Sequence, residues 1–425
     1  MKVTRITRSF PDDSIADLEG AVASELAAFE PRSRRRLDGS RVAVAVGSRG
    51  IAGIDRIVAA VVGWLKAKGA SPFIIPAMGS HGGATAEGQA ELLRGYGVEE
   101  RTVGAPVVSS LEVVELPSDG LGNRLFMDAH AAAADGTIII NRVKPHTDFH
   151  GSVESGLMKM CVLGLGKHRA ALEMHSFGVD GLRSRIVPSA LRVLERGNVL
   201  LGLAVVENAL DRTSLVRALT PDEIPREEPG LLRLAASGMA RLPLDELDVL
   251  VVDEIGKDVS GTGLDTNVIG RIRIPGEPEP TSPRIARIVV LGLTEATHGN
   301  AIGIGLADVT TRDLYERIDF ASTYENVLTS TFLARGMLPL MARSPREAVE
   351  WAIRSCGRRA SGEGLRLARI RSTLHLGELW VTDAVALELA GRSGVLVSGE
   401  TRELFADHRE LFPAWEYRPD ADPGG

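Results

Sequence analysis

Short apolar runs alternate with stretches of helical periodicity in the first half of the chain. The run RVAVAV over residues 41–46 and the run over 71–76 are typical of buried strands. Apolar residues at helical spacing follow each run, over 55–68 and from residue 86 onward, where Thr85 can cap the helix. This strand–helix order predicts an α/β fold with a mostly parallel sheet in the N-terminal part.

The second half repeats the alternation after a different kind of segment. Residues 212–240 are polar and proline-rich at first and then helical, which favours a connector between domains. Apolar runs over 247–252 and 288–293 then predict strands of a second α/β domain. We therefore predict an N-terminal catalytic and cofactor-binding domain over 1–240 and a C-terminal domain over 241–425. Because ligand sites favour clefts between domains, we expect the second domain to close over the active site.

Composition excludes several classes of protein. The chain has 425 residues and a formal charge of −7, which argues against nucleic-acid binding. It carries two distant cysteines, Cys161 and Cys356, too few for a disulfide framework. No stretch approaches the roughly 18 apolar residues of a membrane span, and no apolar signal segment precedes the first strand. We expect a cytoplasmic protein with no membrane partner.

Groups able to do chemistry are concentrated between Asn141 and Gly178. This segment follows an apolar run from Gly136 to Ile140 that predicts a buried strand, and residues at such strand ends face the ligand crevice of α/β sheets. Imidazoles act as metal ligands or as acid/base groups near neutral pH. The segment contains four of the chain's nine histidines and three lysines, namely His146, His150, His168, His175, Lys144, Lys159 and Lys167.

Two glycine-rich turns follow the first two predicted strands. The first, GSRG, contains Arg49, and the second, GSHGGAT, contains Ser80, His81, Gly82 and Gly83. The second turn precedes a predicted helix, whose N-terminus favours anions through its unpaired N–H groups. Neither turn matches a Walker A motif or a dinucleotide-binding GxGxxG motif. Their repetition at successive strand ends favours a binding role.

The order of these motifs resembles the nickel-dependent lactate racemase family, which includes 2-hydroxy-acid racemases and epimerases. The resemblance covers about residues 41–178 and, more loosely, 247–273. It rests on a lysine that follows a Pro-His motif and a Gly/Ser-rich loop, and on a histidine sixteen residues beyond that lysine. The matching motifs are Arg49 in GSRG, Gly79-Ser80-His81, Pro145-His146, Lys159 at the end of SGLMK, His175, and Leu264-Asp265-Thr266-Asn267.

The resemblance implies a nickel-pincer nucleotide, a pyridinium-derived cofactor, tethered to Lys159 with its nickel bound by His175. It further implies that His81 and His146 are the two acid/base groups that invert a carbon bearing a hydroxyl. Cofactor-synthesis proteins would load the cofactor, and the substrate would be a 2-hydroxy acid or a sugar acid. The remaining implied contacts to cofactor or substrate are Arg49, Ser80, Gly82, Gly83, Asp265 and Asn267.

The chain departs from the family pattern at some of these positions. An acidic residue three positions before the arginine is replaced by Val46, and an arginine after the histidine is replaced by Gly82. The loop before Lys159 is longer than in the family, so His150 is an alternative to His146. Two other functions stay open, a pincer-free enzyme on the same fold that uses these histidines and a ligand-binding protein without catalysis.

Overall fold

The computed structural model of the chain describes residues 1–32, 36–47, 50–79, 81–357 and 364–415. Its contacts divide the chain into two compact units, Pro11–Met239 and Met1–Phe10 together with Ala240–Gly425. We call them the N-terminal unit and the C-terminal unit. The predicted ranges 1–240 and 241–425 differ from this division at the amino terminus, because the first ten residues belong to the C-terminal unit. Within the described ranges, no helix has the length and apolarity to cross a membrane.

The first strand, β1 (Lys2–Arg8), is the part of the amino terminus that joins the C-terminal unit. The N-terminal unit then contributes seven strands, β2 (Arg41–Val46), β3 (Ser71–Pro76), β4 (Val113–Leu116), β5 (Leu125–Asp128), β6 (Gly136–Arg142), β7 (Val199–Glu207) and β8 (Thr213–Leu219). Its helices are α1 (Leu18–Phe29), α2 (Ile54–Ala67), α3 (Ala86–Gly95), α4 (Glu100–Val103), α5 (Ala129–Ala132), α6 (Leu157–Lys159), α7 (Lys167–His175), α8 (Gly178–Asp180), α9 (Ile186–Arg196) and α10 (Ile224–Gly238).

A five-stranded sheet in the order β3-β2-β6-β7-β8 forms the centre of the N-terminal unit. Strands β3, β2, β6 and β7 are parallel, and only β8 is antiparallel to its neighbour. Strand β2 is buried from Val42 to Val46 because both faces of the sheet are covered. Side chains alternate between two apolar cores, with Val44 in one and Ala45 in the other. The prediction of a mostly parallel N-terminal sheet is confirmed.

The segment predicted as a connector is part of the N-terminal unit. Residues Thr213–Leu219 form β8 and pair with β7, and Ile224–Gly238 form α10, which packs on β7 and α6. The connector prediction is therefore wrong. Polar residues such as Arg217 are tolerated because β8 is the edge strand of the sheet, where one side faces water.

The C-terminal unit is also mixed α/β, so the predicted fold class is confirmed. An eight-stranded sheet runs in the order β12-β11-β10-β9-β13-β14-β1-β15, parallel from β12 to β13 and antiparallel beyond. Its further strands are β9 (Glu246–Ile255), β10 (Arg284–Leu293), β11 (Val309–Thr311), β12 (Leu340–Ala342), β13 (Leu367–Ile370), β14 (Glu378–Val381) and β15 (Val395–Glu403). Its helices are α11 (Thr266–Ile269), α12 (Arg312–Glu316), α13 (Phe320–Ser330), α14 (Pro345–Ser355) and α15 (Asp383–Leu389).

Candidate active site

Three loops leave the carboxyl ends of adjacent parallel strands in the N-terminal unit. They follow β2, β3 and β6, which are neighbours in the sheet. In parallel α/β sheets this edge is where ligands bind. Arg49 in the first loop and Ser80 in the second are predicted site residues that lie outside the described residues.

The loop after β3 brings His81 to the start of a short 3₁₀ turn before α3. Gly82 has φ +64°, and a Cβ there would lie 2.6 Å from the backbone nitrogen of Gln89. A side chain at position 82 would therefore both strain the backbone and collide with α3. Gln89 is fully buried and donates from Nε2 to the carbonyls of Gly79 (3.0 Å) and His81 (3.3 Å). Gly83, in contrast, faces open space, where a Cβ would meet nothing within 4 Å.

The same loop rests on the helical segment that joins Lys159 to His175. A Cβ on Gly79 would lie 3.8 Å from both the carbonyl of Leu163 and the Cβ of Ala171. Lys167 in this segment is fully buried, donates to the carbonyl of Pro76 at 2.8 Å and forms an ion pair with the equally buried Asp128 at 2.8 Å. Burial lowers the pKa of Lys167, while Asp128 opposes the shift. Lys167 thus ties the ends of β3 and β5 to the start of α7.

The loop after β6 is closed at its base and folds His146 inward. Backbone bonds between Lys144 and Ser155 close the loop. Buried Glu154 then accepts from the backbone N–H of His146 at 2.6 Å. The His146 side chain is 8% exposed and packs against Phe149 with 4.7 Å between ring centroids.

The imidazole of His146 bonds at both nitrogens. Nδ1 accepts the backbone N–H of Asp148 at 3.0 Å, and Nε2 lies in hydrogen-bond contact with Nζ of Lys159. His150, the alternative to His146, is exposed and faces Glu154, with 3.3 Å between Nδ1 and Oε1. The structure therefore brings His146 to the lysine and leaves His150 on the outer side of the loop.

Lys159 lies in the first turn of a helix that a buried carboxylate anchors. Glu228 on α10 accepts the backbone N–H of Met158 at 2.9 Å and also that of Leu157. A Cβ on Gly156 would lie 2.3 Å from Oε1 of Glu228, so only glycine leaves room for this contact. Burial raises the pKa of Glu228 to about 7, although the two backbone bonds oppose the shift.

His175 ends α7 in a largely buried position. Burial lowers its pKa, a protonated Lys159 would lower it further, and Asp148 opposes both effects. These electrostatic interactions indicate that His175 lies in the neighbourhood of Lys159 and of the His146 loop. Its Nδ1 is buried and has no hydrogen-bond partner among the described residues, and the same holds for Nδ1 of His168.

The predicted residues of the C-terminal unit form a helix cap. Asp265 accepts the backbone N–H of Asn267 at 2.9 Å and caps α11, and the Asn267 amide donates to the same carboxylate at 3.1 Å. Nearby, Arg271 and Arg273 both donate to Asp308 at 2.7 Å. The cap and the ion pairs are roles within the C-terminal unit. The proposed contacts of Asp265 and Asn267 with a cofactor stay a prediction, as does a site in an interdomain cleft.

Comparison with known proteins found solved structures of similar fold. The lactate racemase apoprotein from Thermoanaerobacterium thermosaccharolyticum matches with a TM-score of 0.52 and 13% sequence identity, over 88% of this chain and 99% of that one. The two proteins share a fold. No protein-family model and no curated protein matches the sequence. At this identity the likeness carries no residue roles, so the roles proposed below depend on the geometry of the site.

Several residues that shape this racemase-like fold escaped the sequence analysis. Gln89, Asp128, Glu154 and Glu228 are buried polar side chains that bond loop backbone or pair with a buried lysine. Asp128 carried a local signal, because an aspartate directly before a helical stretch is a preferred N-cap. Glu228 had none, since a glutamate beside prolines looks like any exposed helix start.

Proposed function

We propose that the chain is a racemase or epimerase that inverts the hydroxyl-bearing carbon of a 2-hydroxy acid or a sugar acid. Its cofactor would be a nickel-pincer nucleotide attached to Lys159. The observation that carries this proposal is the contact between Nζ of Lys159 and Nε2 of His146, on a helix that also leads to His175. The racemase-like fold supports the reaction class at a coarse level.

The residues present fit such a cofactor. His175 offers a buried Nδ1 that no described residue bonds, and its lowered pKa keeps the imidazole neutral near pH 7, the form that binds metals. Lys159 offers an amine for covalent attachment. Among the described residues no cluster of three or more metal-ligating side chains occurs, and a nickel ion held by the cofactor and one histidine needs none. When bound, the cofactor would supply an electron-poor ring that takes up a hydride and returns it.

The protein's own task is to move one proton at the substrate hydroxyl. Inversion needs a base for either enantiomer, so one imidazole on each side of the substrate carbon is sufficient. We assign these roles to His81, after β3, and to His146, after β6. Glu154 and Asp148 hold the backbone and ring of His146, which orients its Nε2. Arg49 would bind the substrate carboxylate, because a guanidinium can bond both oxygens.

The departures at two positions affect the choice of substrate. Val46 ends β2 and is fully buried between β3 and β6, so no carboxylate occupies that position. Gly82 cannot be exchanged for a longer side chain without a collision with α3. A pocket without the acidic and basic groups found there in the family favours a hydroxy acid other than lactate.

The test is isomer interconversion by protein co-produced with the cofactor-synthesis proteins that load it. A panel of enantiopure 2-hydroxy acids and sugar acids is incubated with the loaded protein and analysed by chiral chromatography. We expect one member to approach a mixture of isomers. A loaded protein that interconverts no member, while the lactate racemase control does, would contradict the proposal and favour a pincer-free enzyme or a ligand-binding protein.

A further inference from the structure

The hydrogen bonds of the His146 ring determine which nitrogen carries the proton. Nδ1 accepts the backbone N–H of Asp148 at 3.0 Å, so this nitrogen must present a lone pair. Oδ2 of Asp148 lies 3.7 Å from Nδ1, too far for a hydrogen bond. A neutral imidazole has one donor and one acceptor. With Nδ1 as the acceptor, Nε2 carries the hydrogen.

The contact between Nε2 and Lys159 then constrains the lysine. An ammonium group has three donors and no acceptor, so it cannot bond to an N–H. The bond to Nε2–H forms only when Nζ is an uncharged amine with a lone pair. We propose that, before the cofactor is attached, His146 holds Lys159 as an uncharged amine that is ready for acylation. This inference rests on the proposed function in one respect, the use of Lys159 as the attachment point.

The proposal gives His146 two successive tasks. In an amide the nitrogen lone pair is delocalised and no longer accepts a hydrogen bond. Acylation of Lys159 therefore removes the acceptor that holds the proton on Nε2. The ring can then exchange through water to the Nδ1–H tautomer, which leaves a lone pair on Nε2 for the proton transfer assigned to His146 above. The titratable side chains near this pair include Asp148, Glu154 and His175.

A simple active ester probes the amine directly. With p-nitrophenyl acetate, Nζ of Lys159 attacks the ester carbonyl, the N–C bond forms and the C–O bond to the phenol breaks. The electron pair of that bond leaves with p-nitrophenolate, and the surplus proton on nitrogen passes to water. The chain has only seven lysines, so peptide mass mapping can follow each one. Lys66 and Lys68 are exposed and serve as internal references.

The decisive readout is how the rate depends on pH, because this shape is independent of how easily the reagent reaches each lysine. For ordinary lysines the amine fraction rises on the order of 50-fold between pH 8 and pH 10. We expect that rise at Lys66 and Lys68 and less than about a threefold rise at Lys159. His146→Ala should restore the steep rise at Lys159, whereas His130→Ala, a histidine of the same unit outside the site, should leave the flat profile unchanged. A steep rise at Lys159 in the unaltered protein would overturn the proposal.

A second measurement uses the unaltered protein and therefore does not depend on whether a variant folds. Nitrogen-15 spectra of the histidine-labelled protein distinguish the Nε2–H form from the Nδ1–H form and from imidazolium. We expect the Nε2–H form for His146 near pH 8, and either of the other forms would contradict the inference. These measurements test the activation of Lys159 by His146 separately from the attachment of the cofactor to Lys159. A steep profile in a protein that still gains cofactor mass at Lys159 overturns only the activation by His146. A flat profile without any mass gain supports the activation and overturns the cofactor assignment.

Discussion

The loop after β3 and the segment after β6 are held in place by different chemistry. The amide of Gln89 donates to two carbonyls of the loop that carries His81. The segment that carries His146 and Lys159 is held by carboxylates that accept backbone N–H groups, Glu154 in the loop and Glu228 at the helix start. An amide has no charge to lose or gain, whereas Glu228 titrates near neutral pH. The two supports should therefore respond differently to pH.

The segment after β6 also carries more of the proposed chemistry. In the proposal it supplies an acid/base group, the attachment lysine and, through α7, the metal ligand His175, whereas the loop after β3 supplies one acid/base group, His81. If this division is right, changes at Lys159 or His175 should remove cofactor and activity together, and changes at His81 should remove activity alone.

The largest effect is expected from Lys159→Ala. Without the amine no covalent attachment is possible, so cofactor mass and isomer interconversion should both fall below detection while the protein stays folded. Lys144→Ala, in the base of the same loop, is the matched control because its backbone bonds to Ser155 do not need the side chain. Turnover that survives in folded Lys159→Ala protein would exclude the pincer mechanism.

Removal of either histidine should lower activity on the order of 10²–10⁴-fold, since each turnover needs one base and one acid. The loss should be directional in a single turnover. With His146→Ala, His81 can still deprotonate one enantiomer, so hydride transfer from that enantiomer alone should persist, and His81→Ala should reverse the preference. Cofactor absorbance after mixing with each enantiomer measures this. Equal signals from both enantiomers in both variants would make the two-histidine assignment wrong.

The raised pKa of Glu228 predicts a pH-dependent stability. The folded state binds the proton of the Glu228 carboxyl group more tightly than the unfolded chain does. The resulting contribution to the free energy of unfolding is fully present below about pH 4.5 and is lost as pH rises through about 7. The difference corresponds to roughly 3 kcal/mol. Glu228→Gln keeps an acceptor for the N–H groups and removes the titration. We expect the free energy of unfolding of Glu228→Gln to equal that of the unaltered protein at pH 5 and to exceed it at pH 8. Urea unfolding, monitored by hydrogen exchange in peptides of the N-terminal unit, measures both values. Equal stabilities at both pH values would refute this account of Glu228.

Alanine substitutions at Gln89 and Glu228 should have the smallest effects, and these effects are on the free energy of unfolding. At pH 5, Gln89→Ala and Glu228→Ala each leave buried backbone groups unbonded, which costs about 1–3 kcal/mol. At pH 8 the cost of Glu228→Ala should shrink, because the buried charge is removed as well, and the cost of Gln89→Ala should stay constant. The same urea experiment compares them. A pH-dependent cost at Gln89 would show that the comparison between the two supports is mistaken.

The strands that could be predicted from the sequence are those with a continuous apolar run. Strands β2, β3 and β6 are buried on both faces, so their continuous apolar runs were visible. Strand β1 was missed because KVTRITR alternates polar and apolar residues and pairs with strands almost 400 residues away. Strand β8 was missed for a related reason, since an edge strand keeps polar residues on its solvent side.

For the candidate site, the family resemblance singled out Lys159, His146 and His175 but not the groups that hold them. The choice between His146 and His150 depended on how the loop folds around Glu154, which no pattern along the chain encodes. The role of Glu228 depended on a helix that lies 70 residues further along the chain. Buried hydrogen bonds of this kind become apparent only in the folded structure, where both partners are in contact.

The central claim is that Lys159 carries the cofactor, and intact mass followed by peptide mapping tests it most directly. The chain is produced with and without the cofactor-synthesis proteins, alongside Lys159→Ala. We predict a mass gain only in co-produced protein with Lys159, located on the peptide that contains this residue. A co-produced, folded protein whose Lys159 peptide keeps its unmodified mass, under conditions that load a lactate racemase control, would contradict the account.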